Sequence, residues 1–409
     1  MFKQETLATL VVIFAIALIL GQPVLAWMLG LLFVTVLLAD RWSRWSLGRV
    51  RYERSLSQSH AFVGDKVVLT MRVVNPKLLS VPGLRCSDVV PARFDYGTPV
   101  LPSTKSNSVV LSRGLALRPY EAVSWQIELQ CKVRGLHFFG PVELSASDPF
   151  GLNTTSTSID APTRLIVYPQ LANLPNLTLR PRQPMGDRRT QRQLLTDPTR
   201  TIGIRDYQAT DPFKTIHWGA TARRGALQTR IFEPNTTLDL LIVLDLDTFE
   251  HYWEGIHPDL IEYLISVAAT AASAAERGQW NFGLYANAGS VDSEQLARVP
   301  LGRSPAQLGA VLEALAKLVP YSVVGLPQLL RRIGSEFPWG ATVLVISAVP
   351  SQDMQGTLLR LAERGRRVRW LYGGDGRLPV IPGVEVEALP FDAAWQATHI
   401  TQITVDQAR

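Results

Sequence analysis

Two carboxylates one residue apart, Asp245 and Asp247, followed by the hydroxyl of Thr248, close a run from Leu238 to Leu244 that is apolar but for Asp239. Carboxylate and hydroxyl oxygens are the hard donors that Mg²⁺ takes, in near-octahedral geometry with several waters retained. Upstream, "TDPFKTIHWGATARRGALQTRIFEPN" (210–235) places His217 beside Trp218, with Arg205, Asp206, Asp211 and Arg223 near in sequence. An imidazole there acts as a general base only with a partner and a substrate pocket. Asp245, Asp247 and His217 together would suit a metal-dependent hydrolase, although no Ser or Cys nucleophile stands out beside them. Glu250, His251, Glu254, His257 and Asp259 follow, but the two histidines are six apart. Ligands on one helical face are three or four apart, so a solvated loop is expected.

These residues need elements to hold them. From residue 237 to 409 strands and helices alternate: "LDLLIVLDLD", a long Ala-rich helix over 256–277, the buried strand "ATVLVIS" and the strand "RVRWLYG". That texture predicts a doubly wound α/β domain. Its ligands would sit beyond the strand C-termini, at Asp245, Asp247 and the residues after Ser347. Residues 49–160 show short alternating runs, such as "KVVLTMRVVN" and "AVSWQIELQC", punctuated by Gly64-Asp65, Asn75-Pro76 and Pro82-Gly83. Strands without helices between them predict an immunoglobulin-like β-sandwich. Residues 161–236 form a basic linker in which Asp211-Pro212 reads as an N-cap and first-turn proline, starting a short helix with His217 and Trp218. There Trp218 is expected as a wedge between two cores. Arg205, Arg223 and Arg230 would pair with carboxylates such as Glu233, Asp206 and Asp245.

"GIRDYQATDPFKTIHWGATARRGALQTRIFEPN" resembles the signature of the bacterial domain-of-unknown-function 58 family. The pattern is met by Arg205, Tyr207, Asp211-Pro212, Ile216-His217-Trp218, Ala220-Thr221-Ala222-Arg223 and Phe232-Glu233. "RGLHFFGPVELSASDPFGL" and the paired N-terminal apolar stretches extend the likeness over almost the whole chain. The resemblance implies a von Willebrand factor A-like domain and work alongside a MoxR-type AAA+ ATPase, often near a transglutaminase-like membrane protein. Fold and partner class carry over from such a likeness better than any reaction does. Von Willebrand A domains can bind a divalent cation through Asp-x-Ser-x-Ser, a distant Thr and a distant Asp. Here Asp247 replaces the middle Ser, Phe249 replaces the last one, and Ala348 and Val349 stand where the distant Asp is expected. The site is degenerate: no resident cofactor is expected, and Mg²⁺ would bind weakly if at all.

Two apolar stretches, about 5–21 and 23–40, flank Gly21-Gln22-Pro23 within residues 1–45 and are followed by Arg41, Arg44, Arg49, Arg51 and Arg54. That pattern predicts a transmembrane hairpin with both ends cytoplasmic. The whole would be a membrane-anchored α+β multidomain protein, two-pass in the cell inner membrane, its bulk in the cytoplasm. Cys86 and Cys131 fall in strand-like runs and are expected as buried thiols. Of the net charge of +6, the segment Arg180–Arg230 carries eleven Lys/Arg against four Asp/Glu. It lacks the interleaved aromatics of nucleic-acid grooves, so nucleic acid is not expected. A basic loop near anionic lipid or an acidic protein is. Three function classes remain: an adaptor or assembly factor tethered to a membrane and working with the ATPase, the metal-dependent hydrolase, and a purely structural scaffold.

Overall fold

The computed structural model describes residues 4–148, 154–172, 174, 196–208, 211, 213–234, 239–334, 341–374 and 376–392. The chain opens with two helices, Gln4–Ile19 and Pro23–Ser46, joined at Gly21, whose φ of 66° suits a residue without Cβ. No helix among the described residues is long and apolar enough to cross a membrane. The first helix has 16 residues and rises about 24 Å, short of a hydrocarbon core of about 30 Å. The second keeps an apolar course only from Pro23 to Ala39 before Asp40 and Arg41, which is about 25 Å of rise. The expected transmembrane hairpin and the two-pass inner-membrane placement are therefore overturned. The pair still presents Val24, Trp27 and Leu31 outward.

Arg54, counted above among flanking charges, belongs to the interior of the next unit. Its Nη1 lies 2.6 Å from Asp88 Oδ1 with both side chains fully shielded, and Tyr52 OH donates to Asp88 Oδ2 at 2.8 Å. Arg54 Nε donates to Thr163 Oγ1 at 3.2 Å and Nη2 to the Ala161 carbonyl. Burial raises the Asp88 carboxyl, and Arg54 pulls it back. This network ties together two facing antiparallel sheets. One is built from Arg51–Leu56, Lys66–Val74, Ala122–Cys131 and Phe94–Asp95. The other is built from Thr154–Ile159, Val142–Ser147, Val81–Pro91, Ser108–Leu117 and Leu101–Pro102. Alternation places Val67, Leu69, Met71 and Val73 on one inner face, in a common core with Leu84, Cys86, Leu144 and Ala146. Cys86 and Cys131 are both free and buried, and burial pushes the thiols up, to about 12 and about 11. Lys77, in a turn of this unit, caps the helix Pro23–Ser46. Its Nζ donates to the carbonyls of Trp45 at 2.7 Å and Gly48 at 2.6 Å, and to that of Ser46. Helix C-termini leave such carbonyls without partners, and a cation there also answers the helix dipole.

The third unit is a six-stranded sheet covered on both sides. Its elements are β1 (Asp239–Leu244), α1 (Pro258–Arg277), β2 (Asn281–Ser290), β3 (Ser293–Gly302), α2 (Gln307–Ala316), α3 (Leu326–Ile333), β4 (Thr342–Ser347), α4 (Gln352–Glu363), β5 (Arg367–Tyr372) and β6 (Val384–Ala388). The strand order is β3-β2-β1-β4-β5-β6, with only β3 antiparallel to its neighbour. Leu240 to Leu244 are all buried: a strand covered on both faces reads as a continuous apolar run. Leu240, Ile242 and Leu244 share a core with α1 and α2, and Leu241 and Val243 share one with α3 and α4. The chain leaves β1 toward β2 on one side and returns to β4 on the other. The C-terminal ends of β1 and β4 therefore flank a topological switch point, where open α/β sheets bind.

Sandwich and sheet are joined by Arg134, whose side chain is 5% exposed. Its Nε lies 2.9 Å from Glu262 Oε2 on α1, and Nη1 donates to the Leu315 carbonyl at 3.5 Å. Burial lowers the guanidinium and raises the Glu262 carboxyl, and each partner opposes the other's shift. Nearby, Ala172 N donates to Thr270 Oγ1 of α1 at 2.8 Å, and Ala172 is buried in the sheet's core. Removing one partner of a buried pair costs more than the pair contributes, because a charge is left behind. Arg134→Met should cost about 3 kcal/mol, the lower end of the usual range because Glu262 keeps some solvent contact. It should also split one urea transition into two. A single transition at the wild-type midpoint would contradict the coupling.

Candidate functional site

Asp245 and Asp247 stand just past β1 at the switch point. Asp245 is 4% exposed and its backbone N–H still pairs with Ile346 O at 2.9 Å. Asn287, fully buried on β2, reaches across to both acids. Its Nδ2 donates to Asp245 Oδ1 at 2.6 Å and to Asp247 Oδ2 at 3.3 Å, while its Oδ1 accepts from Leu246 N at 2.9 Å. Asp247 N donates to Asp245 Oδ1 at 3.1 Å, and Ser322 Oγ donates to Asp247 Oδ1. The Asn287 carbonyl also accepts Val323 N at 2.8 Å, so the segment carrying Ser322 is pinned to the end of β2. Burial drives the Asp245 carboxyl well above the usual carboxylate range, and the neighbouring Asp247 charge pushes it further.

Thr248 Oγ1 accepts from His257 N at 3.0 Å, closing the β1–α1 loop, and His257 Nδ1 caps α1 by accepting Leu260 N at 3.3 Å. A histidine grouped with solvated loop residues is thus a helix cap. Nothing in the sequence marks Asn287 or Ser322 beyond a polar amide inside the apolar strand "NFGLYANAGS". The two segments that meet at the Ser322–Asp247 bond leave Phe249, Trp253, Ile256, Tyr321 and Val323 exposed. His251 and Trp253 rings stack at 4.3 Å. A separate cavity of about 500 Å³ opens beside β2, β3 and α3, with Tyr285, Leu296, Arg298 and Arg332 in its lining, and no member of the carboxylate cluster faces it.

The residues of the signature lie elsewhere, on an antiparallel hairpin of Thr196–Asp206 with Gln228–Pro234. Arg205 holds Asp211 with two bonds of 2.7 Å, Gln208 N donates to the same carboxylate at 2.9 Å, and Tyr207 OH donates to Asp211 O at 3.1 Å. Arg205 holds the Asp211 carboxyl below its usual range. His217 Nδ1 accepts Ala220 N at 3.1 Å, so the imidazole caps the helix Trp218–Arg224, and Gly225 (φ 71°) ends it. The expected cap at Asp211 serves the preceding turn instead. Gln228 is fully buried and donates to Asp206 Oδ1 at 2.6 Å, and Ile216 is buried beside it. Trp218 is 67% exposed, so the expected wedge is overturned: among the described residues, its seven-residue helix on a two-stranded ribbon meets no second layer that buries it. Arg223 and Arg230 are exposed. The Asp206 pairing is with Arg224 at 3.8 Å, and Asp245 bonds Asn287 rather than an arginine. Glu233 lies on the strand Gln228–Pro234, its side chain outside the described residues, as are residues 175–195 of the basic stretch. No described hydrogen bond or ion pair joins His217 to Asp245 or Asp247.

Residues 203–387, from the signature hairpin through β6, match the family model described as "Protein of unknown function DUF58". That match takes in the signature hairpin and the α/β unit, a little under half of the chain. A curated relative, "Uncharacterized protein YeaD" of Bacillus subtilis (strain 168), is 25% identical over 149 residues. The match spans 36% of this chain and 35% of that relative's length. Among solved structures, the SpRpn10 VWA domain covers 38% of this chain and 88% of its own at 13% identity, with a TM-score of 0.27. A cohesin module from a Clostridium perfringens family 33 glycoside hydrolase covers 29% and 96% at 9% identity, with a TM-score of 0.22. At those scores neither likeness carries an argument about this chain.

A carboxyl raised by burial adds stability below its unfolded pKa and loses it as pH climbs toward the folded value. Asp245 therefore costs the fold at neutral pH. Asp245→Asn keeps an acceptor at the Oδ1 position and removes the ionisation. Its melting temperature should match wild type near pH 4, exceed it at about pH 7, and gain steadily between. A gain that does not grow with pH would contradict this assignment. Trp218→Ala, at an exposed site, should change stability by no more than about 0.5 kcal/mol in urea unfolding.

Proposed function

We propose that this protein is a non-enzymatic adaptor that docks a partner protein at the switch-point crevice of its α/β domain, the partner being a MoxR-type AAA+ ATPase. One observation carries the docking reading: large apolar side chains stand exposed on the two segments that meet at Asp247. Exposed aromatics beside a polar, desolvated centre match the anatomy of interface hot spots, where Trp and Tyr supply most of the binding energy. Catalysis is disfavoured by how the polar groups are engaged. Asp245 and Asp247 are bonded to Asn287 and Ser322, and the His217 ring nitrogen is engaged in a helix cap. The ATPase as partner rests on the resemblance of the signature stretch, and a transglutaminase-like protein would be a client or neighbour of the same assembly.

The double substitution Trp253→Ala/Tyr321→Ala should leave the melting temperature unchanged and weaken capture of the ATPase by about tenfold or more, as loss of two aromatic anchors implies. Wild-type chain that fails to bind the ATPase would sink the partner. Binding lost in Trp218→Ala but kept in the double variant would move the docking face to the signature hairpin.

A further inference from the structure

The carboxylate pair already has a bridging group. Asn287 Nδ2 sits 2.6 Å from Asp245 Oδ1 and 3.3 Å from Asp247 Oδ2. A Mg²⁺ shared by the same two oxygens would lie about 2.0–2.1 Å from each, in the space that the amide group fills. The amide presents N–H hydrogens there, which repel a cation. The amide's orientation is set by its other end: Oδ1 accepts the Leu246 N–H at 2.9 Å, so turning the group over would set a donor against a donor. Asp247's second oxygen is engaged as well, by the Ser322 hydroxyl. Each acid oxygen that faces the bridge is thus answered by a neutral donor from the chain itself.

We infer that the Asn287 side-chain amide takes the place of a divalent cation in this crevice, holding Asp245, Asp247 and the Ser322 segment in register without metal. The three segments at the switch point are joined through one residue: the β1 end by the side chain and the segment at 322–323 by the backbone carbonyl. The geometry of the crevice then does not depend on Mg²⁺, whether or not a partner binds there.

Thermal melting of the full chain in EDTA, and with Mg²⁺ or Mn²⁺ at about 10 mM, tests this directly. The wild-type midpoint should move by less than about 1 °C. Asn287→Asp adds a third carboxylate where the amide was. It should melt several degrees lower in EDTA and recover at least half of the loss with Mn²⁺. A wild-type rise of more than about 3 °C with either metal, lost in Asp247→Asn, would overturn the inference. So would a folded Asn287→Asp protein that gains no more from metal than wild type. Should Asn287→Asp fail to fold under every condition, a Mn²⁺ titration of wild type by calorimetry decides alone. Micromolar binding refutes the amide bridge, and its absence supports it.

Discussion

Two acids cannot share the end of a buried strand unless something answers their charge. β1 delivers Asp245 and Asp247 into a site where one carboxyl is nearly sealed from water. Like charges in such surroundings repel strongly and each alone is costly to bury. Asn287 meets that demand with a single planar group that donates to both acids and accepts from the backbone between them. Because Asn287 is on β2 and its carbonyl holds Val323, solving the charge problem also sets where two loops run. The arrangement of the crevice, and the exposed aromatics on its rim, follow from that constraint.

The second dependence is between units. Arg134 and Thr270 attach the sandwich to α1, the helix that begins where the crevice loop ends. Alanines at 268, 269, 271, 272 and 275 let α1 lie close to the sheet, which adds contact area without bulky side chains. The crevice is therefore backed by a helix fastened on its far side to another domain. The signature hairpin contrasts with this: its described hydrogen bonds, from Arg205–Asp211 to Gln228–Asp206, are internal.

Elements whose burial is uniform left a record in composition. The run ending in Leu244 is continuous because both faces of β1 are covered, and "KVVLTMRVVN" alternates because Lys66–Val74 has one inner face. Isolated polar residues left none. Asn287 and Ser322 act through contacts about 40 and 75 positions away, which no local pattern encodes. Trp218 misled because an aromatic among charges reads as buried, while its short helix lies on a two-stranded ribbon that leaves the ring exposed. Arg54 misled in the opposite sense. A basic run counts charges but not their partners, and this one is sealed against Asp88. The two N-terminal apolar stretches divide at Gly21-Gln22-Pro23 as their sequence indicates, but neither helix is long and apolar enough to cross a membrane.

The ammonium of Lys77 grips the last two carbonyls of the helix Pro23–Ser46 and that of Gly48 just beyond it, while its own backbone belongs to the sandwich. A turn such as 47–50 would ordinarily serve as a hinge, letting the helices swing. Here the cation spans it, so the end of the helical pair and the turn after it are held against the sandwich by one side chain.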